Sequence, residues 1–465
     1  ALAADTSGVV TATISDGDMA TLAGLSETGN AYTITITDNS VAAAALNTLD
    51  GKTSVAINAS NITTLTGAAA DLNTAYTANG NGSITGLGNE AATLSDTSLA
   101  VSALNDLNSN TSGTINAGNI TTLTGTAADL NTAYAANGSG ISGLNNEAVT
   151  LSDSSLAVSV LNILDGNTSG TINANSINTL TGTAADLNTA YTSSGISGLS
   201  NEAVTLSDTT LAVSVLNDLD GRTSGTINAS SINTLTGTAA DLNTAYASAG
   251  ISGLANEAIT LSDTSLAVSV LNDLDGNTSG TINANSINTL SGSAADLITA
   301  YDSGGISGLG NEAVNVSSGS ASTSQANALA ADTSGVVTAT ISDGDMATLA
   351  GLTETGNAYS ITITDNSVAA AALNTLDGKT SVAINASNIT TLTGAAADLI
   401  TTYTANGNGS ITGLGNEAAT LSDTSLAVSV LNDLDGNPSG TINAGSINSL
   451  SGSAAELISA YAANG

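Results

Sequence analysis

Val149-Thr150-Leu151-Ser152-Asp153, followed by Leu156-Ala157-Val158-Ser159-Val160-Leu161-Asn162-Ile163-Leu164-Asp165-Gly166, is the stretch on which the reading of this 465-residue chain turns. The first five residues alternate apolar and polar side chains, the pattern of a short half-buried strand. In the longer run, the apolar residues at 156, 160 and 164 fall on one helical face, and Gly166 supplies a C-terminal stop. The chain then repeats this plan. Thr171-Ile172-Asn173-Ala174-Asn175-Ser176-Ile177 reads as a second short strand and turn. Thr183-Ala184-Ala185-Asp186-Leu187-Asn188-Thr189-Ala190-Tyr191 reads as a helix of about two turns, with Thr183 and Asp186 forming a capping box in which Asp replaces the usual Glu. No glycine directly follows Tyr191; Thr192-Ser193-Ser194-Gly195 leads out.

Outward from this stretch the unit recurs. Asn146-Glu147-Ala148, Asn201-Glu202-Ala203, Asn256-Glu257-Ala258 and Asn311-Glu312-Ala313 stand 55 residues apart, and the step back to Asn89 is 57. A longer period of 327 brings Ala1-Leu2-Ala3-Ala4-Asp5 back as Ala328-Leu329-Ala330-Ala331-Asp332. Residues 1–327 form a first copy and 328–465 a partial second one. The tyrosines keep to repeat positions: Tyr76, Tyr134, Tyr191, Tyr246, Tyr301, Tyr403 and Tyr461 close helical segments, while Tyr32 and Tyr359 begin strand-like ones. Strand starts number about twelve in the first copy and about five in the second, or about 17 coils of roughly 27 residues, within the range of solenoid repeats. The expected fold is an α/β repeat solenoid, continuous through both copies, with stacked parallel β-strands on one face and short helices on the other.

Composition narrows the chemistry. The chain is 41% hydrophobic but only 2% aromatic, with no Phe or Trp, so any core is thin and aliphatic. Three Lys and Arg face 39 Asp and Glu, a formal charge of −36, which repels phosphate backbones and argues against a nucleic-acid partner. Charged residues are still only 9% of the chain, too few for an acidic disordered tail. The absence of Cys and His removes disulfides, thiolate metal sites, the usual nucleophile and the usual general base. A non-enzymatic protein is the expectation. No run of 18 apolar residues suggests a membrane span, and the first residues lack the basic and apolar regions of a signal peptide.

The run Leu199-Ser200-Asn201-Glu202-Ala203-Val204-Thr205-Leu206-Ser207-Asp208-Thr209-Thr210-Leu211 resembles a leucine-rich repeat, with Val204, Leu206 and Leu211 as seam residues and Asp208 near that family's ladder asparagine. Its spacing departs from the family, so the resemblance extends only to the strand-plus-helix plan. The Thr-Leu-Ser-Asp and Leu-Asp-Gly-Asn-Thr-Ser-Gly phrases resemble repeats of very large surface proteins of cyanobacteria and other marine bacteria, of the surface-layer or motility-associated type.

Candidate sites are acidic. Asp96, Asp153, Asp208, Asp263 and Asp423 recur at strand ends, where a carboxylate can tie up turn backbone or, in an oxygen-rich turn, contribute to a calcium site. Stacked carboxylates one strand apart repel, and the pattern avoids this by placing a position such as Asn175 in the coil after Asp153. Asp16-Gly17-Asp18 and its second copy Asp343-Gly344-Asp345 set two carboxylates around a flexible glycine, the best candidate for calcium. Asp218-Leu219-Asp220 has the same spacing, but burial of Leu219 makes its carboxylates diverge. Lys52, Arg222 and Lys379 each follow Asp-Gly at one solvent-facing turn, where they offset local acidity. Asn-x-Ser/Thr triplets such as Asn167-Thr168-Ser169 are frequent, as chance allows in a chain this rich in Asn, Ser and Thr.

These features point to an extracellular structural protein, part of a filament, sheath or surface layer. The alternative is a secreted adhesin that binds a glycan or an ordered surface through a Thr/Asn-rich face. The expected partners are further copies of the chain, head to tail, and cell-surface polysaccharide. Head-to-tail stacking is expected because Ala1 opens on residues also found internally at Ala328, and Ser459 to Gly465 matches Thr132 to Gly138.

Overall fold

A computed structural model describes residues 2–437 and 440–463. Ala1, Asn464 and Gly465, which enter the expectation about the chain's two ends, lie outside the described residues. One unit shows how the elements follow one another. β1 (Ala148–Leu151) and β2 (Ser155–Ala157) precede α1 (Val158–Asn167). Next come β3 (Ile172–Asn173), β4 (Thr179–Gly182), α2 (Ala184–Thr192) and β5 (Ile196–Ser197), and β6 (Ala203–Leu206) opens the next unit. The chain is an α/β repeat solenoid with all-parallel sheets and seventeen α-helices among the described residues, in agreement with about 17 coils.

Two details differ from the expectation. The helical face of α1 is Val158, Leu161 and Leu164, all buried, rather than residues 156, 160 and 164. Ser155–Ala157 pairs with Thr179–Thr181 in β4, so Leu156 enters the core from a strand and the helix starts two residues later. Cross-coil pairing overrides the local period here. The unit also holds five strands where two were expected: β1 and β3 match the expected pair, while β2, β4 and the two-residue β5 are too short or too close to a helix to give a period of their own.

Register makes the core. Leu156, Leu180, Val204, Ile227 and Ile251 form one column of Cα partners, each 23 or 24 residues after the last. The first four are at most 9% exposed. Each buried side chain of this size is worth about 1.5–3 kcal/mol, so a column of aliphatic residues holds a coil stack without aromatic anchors. Helix starts recur at a longer interval, with Val158 followed by Ala184. The strand step is therefore shorter than the helix step, and the two slip past each other. A five-stranded sheet that begins with β2, just before a helix, ends with its fifth strand at Ile251–Ser252, just after one. Where β4 meets α2, Gly182 has φ 152°, and a Cβ there would sit 2.5 Å from Cγ1 of Val158. Only glycine fits.

Contacts divide the chain into two compact units, residues 1–209, 215–232 and 248–253 in one and 210–214, 233–247 and 254–465 in the other. The first contains five-stranded sheets built from strands within 40–142, 98–197 and 155–252. The second contains five-stranded sheets within 210–307 and 265–360 and a four-stranded one within 367–443. In the second unit the coil around Tyr359 is tighter: Thr338 pairs with Ala358, and the helix Met346–Leu349 has four residues. Among the described residues, no helix is long and apolar enough to cross a membrane.

Candidate functional site

The strand-end aspartates bind backbone, and they do so across coils. Asp208 lies two residues beyond β6, and its Oδ2 accepts the N–H of Ala184, the first residue of α2, at 2.8 Å. Asp96, Asp153, Asp263 and Asp423 do the same for Ala69, Ala127, Ala239 and Ala396, each at 2.8 Å. The N–H groups of a helix's first turn have no partner within the helix and carry partial positive charge, so a carboxylate from the next coil both satisfies and stabilises that end. Thr183 completes the cap of α2: its Oγ1 accepts the N–H of Asp186 at 3.1 Å and donates to Oδ2 of Asp186 at 2.8 Å. The expected box is present in its first half. Its second half changes because Asp, one methylene shorter than Glu, meets the threonine hydroxyl instead of the cap N–H.

The carboxylates do not stack. One coil after Asp153 the neighbouring position is Ser176, one residue beyond the Asn175 expected there, and its hydroxyl donates to the Leu151 carbonyl at 2.8 Å. Where two acids do approach, at Asp302 and Asp332, the Asp332 carboxyl is pushed up, first by its partial burial and second by the charge of Asp302. Asp208→Ala is expected to cost about 0.5–2 kcal/mol locally. Amide exchange at Ala184 reads this directly, with acceleration expected in the Ala variant and a much smaller effect for Asn, which keeps an acceptor oxygen.

Three of the four paired aspartates expected to hold calcium serve helix ends. Asp18 accepts the N–H and the hydroxyl of Thr21 at 3.3 and 2.9 Å. Asp345 caps Thr348 in the same way, and these two bonds hold its carboxyl below the usual range. Asp343 instead accepts the N–H of Thr323, at the start of another helix, at 2.7 Å. In the second copy the two carboxylates therefore answer to two helices. Asp16 is exposed. Gly17 is a packing glycine, since a Cβ there would lie 2.5 Å from the Thr35 carbonyl oxygen. Among the described residues no group of three or more acidic side chains is placed to hold a metal ion. Melting with calcium and with chelator tests the calcium assignment: a shift abolished by Asp→Asn at 16, 18, 343 and 345 supports it, and one that survives places the effect elsewhere.

A second set of carboxylates is buried. Glu202 is 2% exposed, and its two carboxylate oxygens accept the Ser200 N–H at 3.0 and 2.9 Å. The Tyr191 hydroxyl, from the end of α2, donates to it at 3.0 Å. Tyr76 with Glu90, Tyr134 with Glu147, Tyr246 with Glu257 and Tyr301 with Glu312 repeat the pair, and Tyr403 and Glu417 occupy the equivalent second-copy positions. Burial pushes the Tyr191 phenol up to about 12; the Thr223 hydroxyl opposes this, and the charge and hydrogen bond of Glu202 add to it. The signal for these buried acids is the recurrent Asn-Glu-Ala phrase, which follows each of these helix-closing tyrosines with its Glu 11 to 14 residues on and which by itself shows only the period.

Toward solvent, each sheet presents hydroxyls and amides. Ala157, Thr181, Thr205, Asn228 and Ser252 form the outer column over the Leu156 column. Ala100, Thr124, Thr150, Asn173 and Ser197 repeat it in the same unit. In the other unit the column is Ala212, Thr236, Thr260, Asn283 and Ser307. None of these residues is charged, and successive members lie ~4.8 Å apart along the stack. The cations also reach backbone: Lys52 Nζ donates to the Ser26 carbonyl at 3.0 Å and Lys379 Nζ to that of Thr353 at 2.8 Å, while Arg222 is exposed. A shallow groove beside Val213, Thr236, Thr238 and Leu261 holds Asp241 as its one titratable group. The chain matches no family model and no curated protein.

Proposed function

We propose that this chain is an extracellular structural repeat protein, an element of a filament, sheath or surface layer, with no catalytic role. One observation carries the reading: the recurrent polar side chains tie coil to coil. Asp208 binds the Ala184 N–H, Ser231 the Leu206 carbonyl at 2.8 Å and Asn188 the Val215 carbonyl at 3.2 Å. Side chains committed in this way strengthen a scaffold and converge on no common point where a substrate could react. The resemblance of the repeat phrases to large bacterial surface proteins supports the same reading.

Coils that fit one another along the chain also fit coils of another copy, and such a heterologous contact does not close, so the proposed partner is a further copy, head to tail. Imaging of the source cell surface with antibody against the chain tests location, and labelled fibres or a lattice are expected. Light scattering on the purified chain tests assembly, with growth beyond the monomer expected; a monodisperse monomer at high concentration counts against it.

The outer Ala-Thr-Thr-Asn-Ser columns favour a second reading, an adhesin for cell-surface polysaccharide or another ordered neutral surface. Co-sedimentation with insoluble polysaccharide, abolished by Thr205→Asp and Thr260→Asp together, supports it. Equal sedimentation of wild type and variant sinks it.

A further inference from the structure

The fold sorts the Asn-x-Ser/Thr triplets. Asn61, Asn119 and Asn388 donate their Nδ2 to the carbonyls of Ile36, Leu94 and Ile363, each at 2.8 Å. Asn110, Asn167 and Asn277 donate to the Oδ1 atoms of Asn73, Asn131 and Asn243 at 3.1, 3.0 and 3.0 Å. Asn137 donates to the Leu144 carbonyl at 2.6 Å. A substituent on any of these nitrogens takes one of its two hydrogens and crowds the acceptor against which the fold holds it. Asn81 and Asn408, the last residues of helices, and Asn315, in a strand between Ser291 and Thr338, are exposed but do not accept the N–H of the residue two positions on.

Asn58, Asn228 and Asn385 differ from all of these. Each stands in the same phrase, Ile-Asn-Ala-Ser, with both the Asn and the Ser exposed. In each, the Asn Oδ1 accepts the N–H of the serine two residues on, Ser60, Ser230 or Ser387, at 3.1 Å. This turn locks the side chain by its oxygen and leaves Nδ2 with no protein partner among the described residues, close in sequence to an exposed hydroxyl. The repeat supplies its own controls. Asn116, Asn173, Asn283 and Asn443 make the same turn to the N–H groups of Gly118, Asn175, Asn285 and Gly445, which lack the hydroxyl.

We infer that Asn58, Asn228 and Asn385 are acceptor sites for N-linked glycosylation from a nucleoside-diphosphate sugar. In the transfer, the Asn Nδ2–C1 bond forms as the bond from C1 to the diphosphate oxygen breaks. The amide proton passes to the base of the transferase, and the nucleoside diphosphate leaves. The added sugar stands in solvent and costs no coil-to-coil bond. The inference concerns the folded chain alone and does not depend on where the protein resides.

The test incubates the folded chain with a soluble N-glycosyltransferase and UDP-glucose, followed by peptide mapping. Synthetic peptides spanning Asn228 and Asn167 establish that the enzyme accepts both sequences. In the folded chain, glucose is expected on Asn58, Asn228 and Asn385 at least tenfold above Asn61, Asn119, Asn167 and Asn388. Ser230→Ala is expected to abolish modification at Asn228, and Gly118→Ser to create a new acceptor at Asn116. Equal modification of the engaged asparagines, no modification of the folded chain while both peptides are modified, or no gain at Asn116 in Gly118→Ser overturns the inference.

Discussion

Raised from neutral pH, the folded chain is expected to hold its structure to about pH 10 and then lose it steeply before about pH 12. The tyrosines set this window. Tyr76, Tyr191 and Tyr359 are pushed from 10.0 to about 12, with burial the largest cause in each. Tyr134, Tyr246, Tyr301 and Tyr403 are pushed up as well, again mainly by burial, with a glutamate adding to the rise. For a phenol, the neutral form is the protonated one. A folded value above the unfolded one therefore contributes stability that is fully present below about pH 10 and is lost as the pH climbs through the folded values.

Discounted for residual solvent screening, each tyrosine gives up on the order of 1–2 kcal/mol across this range. Because they recur coil after coil, the losses add along the array. Circular dichroism and phenolate absorbance, followed together, check the prediction: both are expected to change in one step. Tyr191→Phe removes one ionisation and is expected to raise local resistance to alkali, at a cost of about 1 kcal/mol at neutral pH for the lost bond to Glu202. Phenolate appearing at about pH 10, well before the loss of helix signal, contradicts the burial argument.

The repeat period, the parallel α/β plan and the cap at Thr183 were legible in sequence because each rests on local residue types at a fixed spacing. Val204, Leu206 and Leu211, taken as seam residues, are 1%, 3% and 8% exposed. The partners of the aspartates were not legible. Asp208 and Ala184 are 24 residues apart, and the cap between them exists only once the coil step is set by strand pairing. The same holds for Leu156, which suits a helix face by local period and a strand by the column it joins. Glu202 shows the limit most clearly. An acidic residue is expected at the surface, and its burial here depends on a tyrosine eleven residues earlier and on a backbone N–H that turns back toward it.

The phrase Thr-Ser-Gly, which follows each of several helices, carries the other large expected effect. A Cβ built on Gly225 would stand 2.0 Å from the carbonyl oxygen of Glu202 and 2.6 Å from its carbonyl carbon. Gly113, Gly170, Gly280 and Gly335 of the same phrase, and Gly440 after Pro438-Ser439, meet the carbonyls of Glu90, Glu147, Glu257, Glu312 and Glu417 at 1.9 to 2.1 Å in the same way. The obstructing atoms are backbone, so no rotamer change relieves them. Gly225→Ala must push its coil away from Glu202, straining the Ser224 to Ser200 and Val204 to Thr226 backbone bonds of 2.9 and 2.8 Å and the Tyr191 contact behind them. A cost of about 3 kcal/mol or more is expected, from overpacking together with buried polar groups left unpaired. Gly276 is the contrasting case: it lies in the last turn of the helix Val268–Asn277 with nothing within 4 Å of its would-be Cβ. Gly276→Ala is expected to stabilise by about 0.5–1 kcal/mol, because it restricts the unfolded chain without a clash. Hydrogen exchange on the two variants separates the outcomes by place as well as size: protection is expected to fall around residues 191–228 in Gly225→Ala and to hold throughout in Gly276→Ala. If Gly225→Ala exchanges like the wild type, coil contact at the glutamate carbonyl is looser than 2.0 Å implies, and the buried Tyr–Glu pair is not what fixes the spacing of the coils.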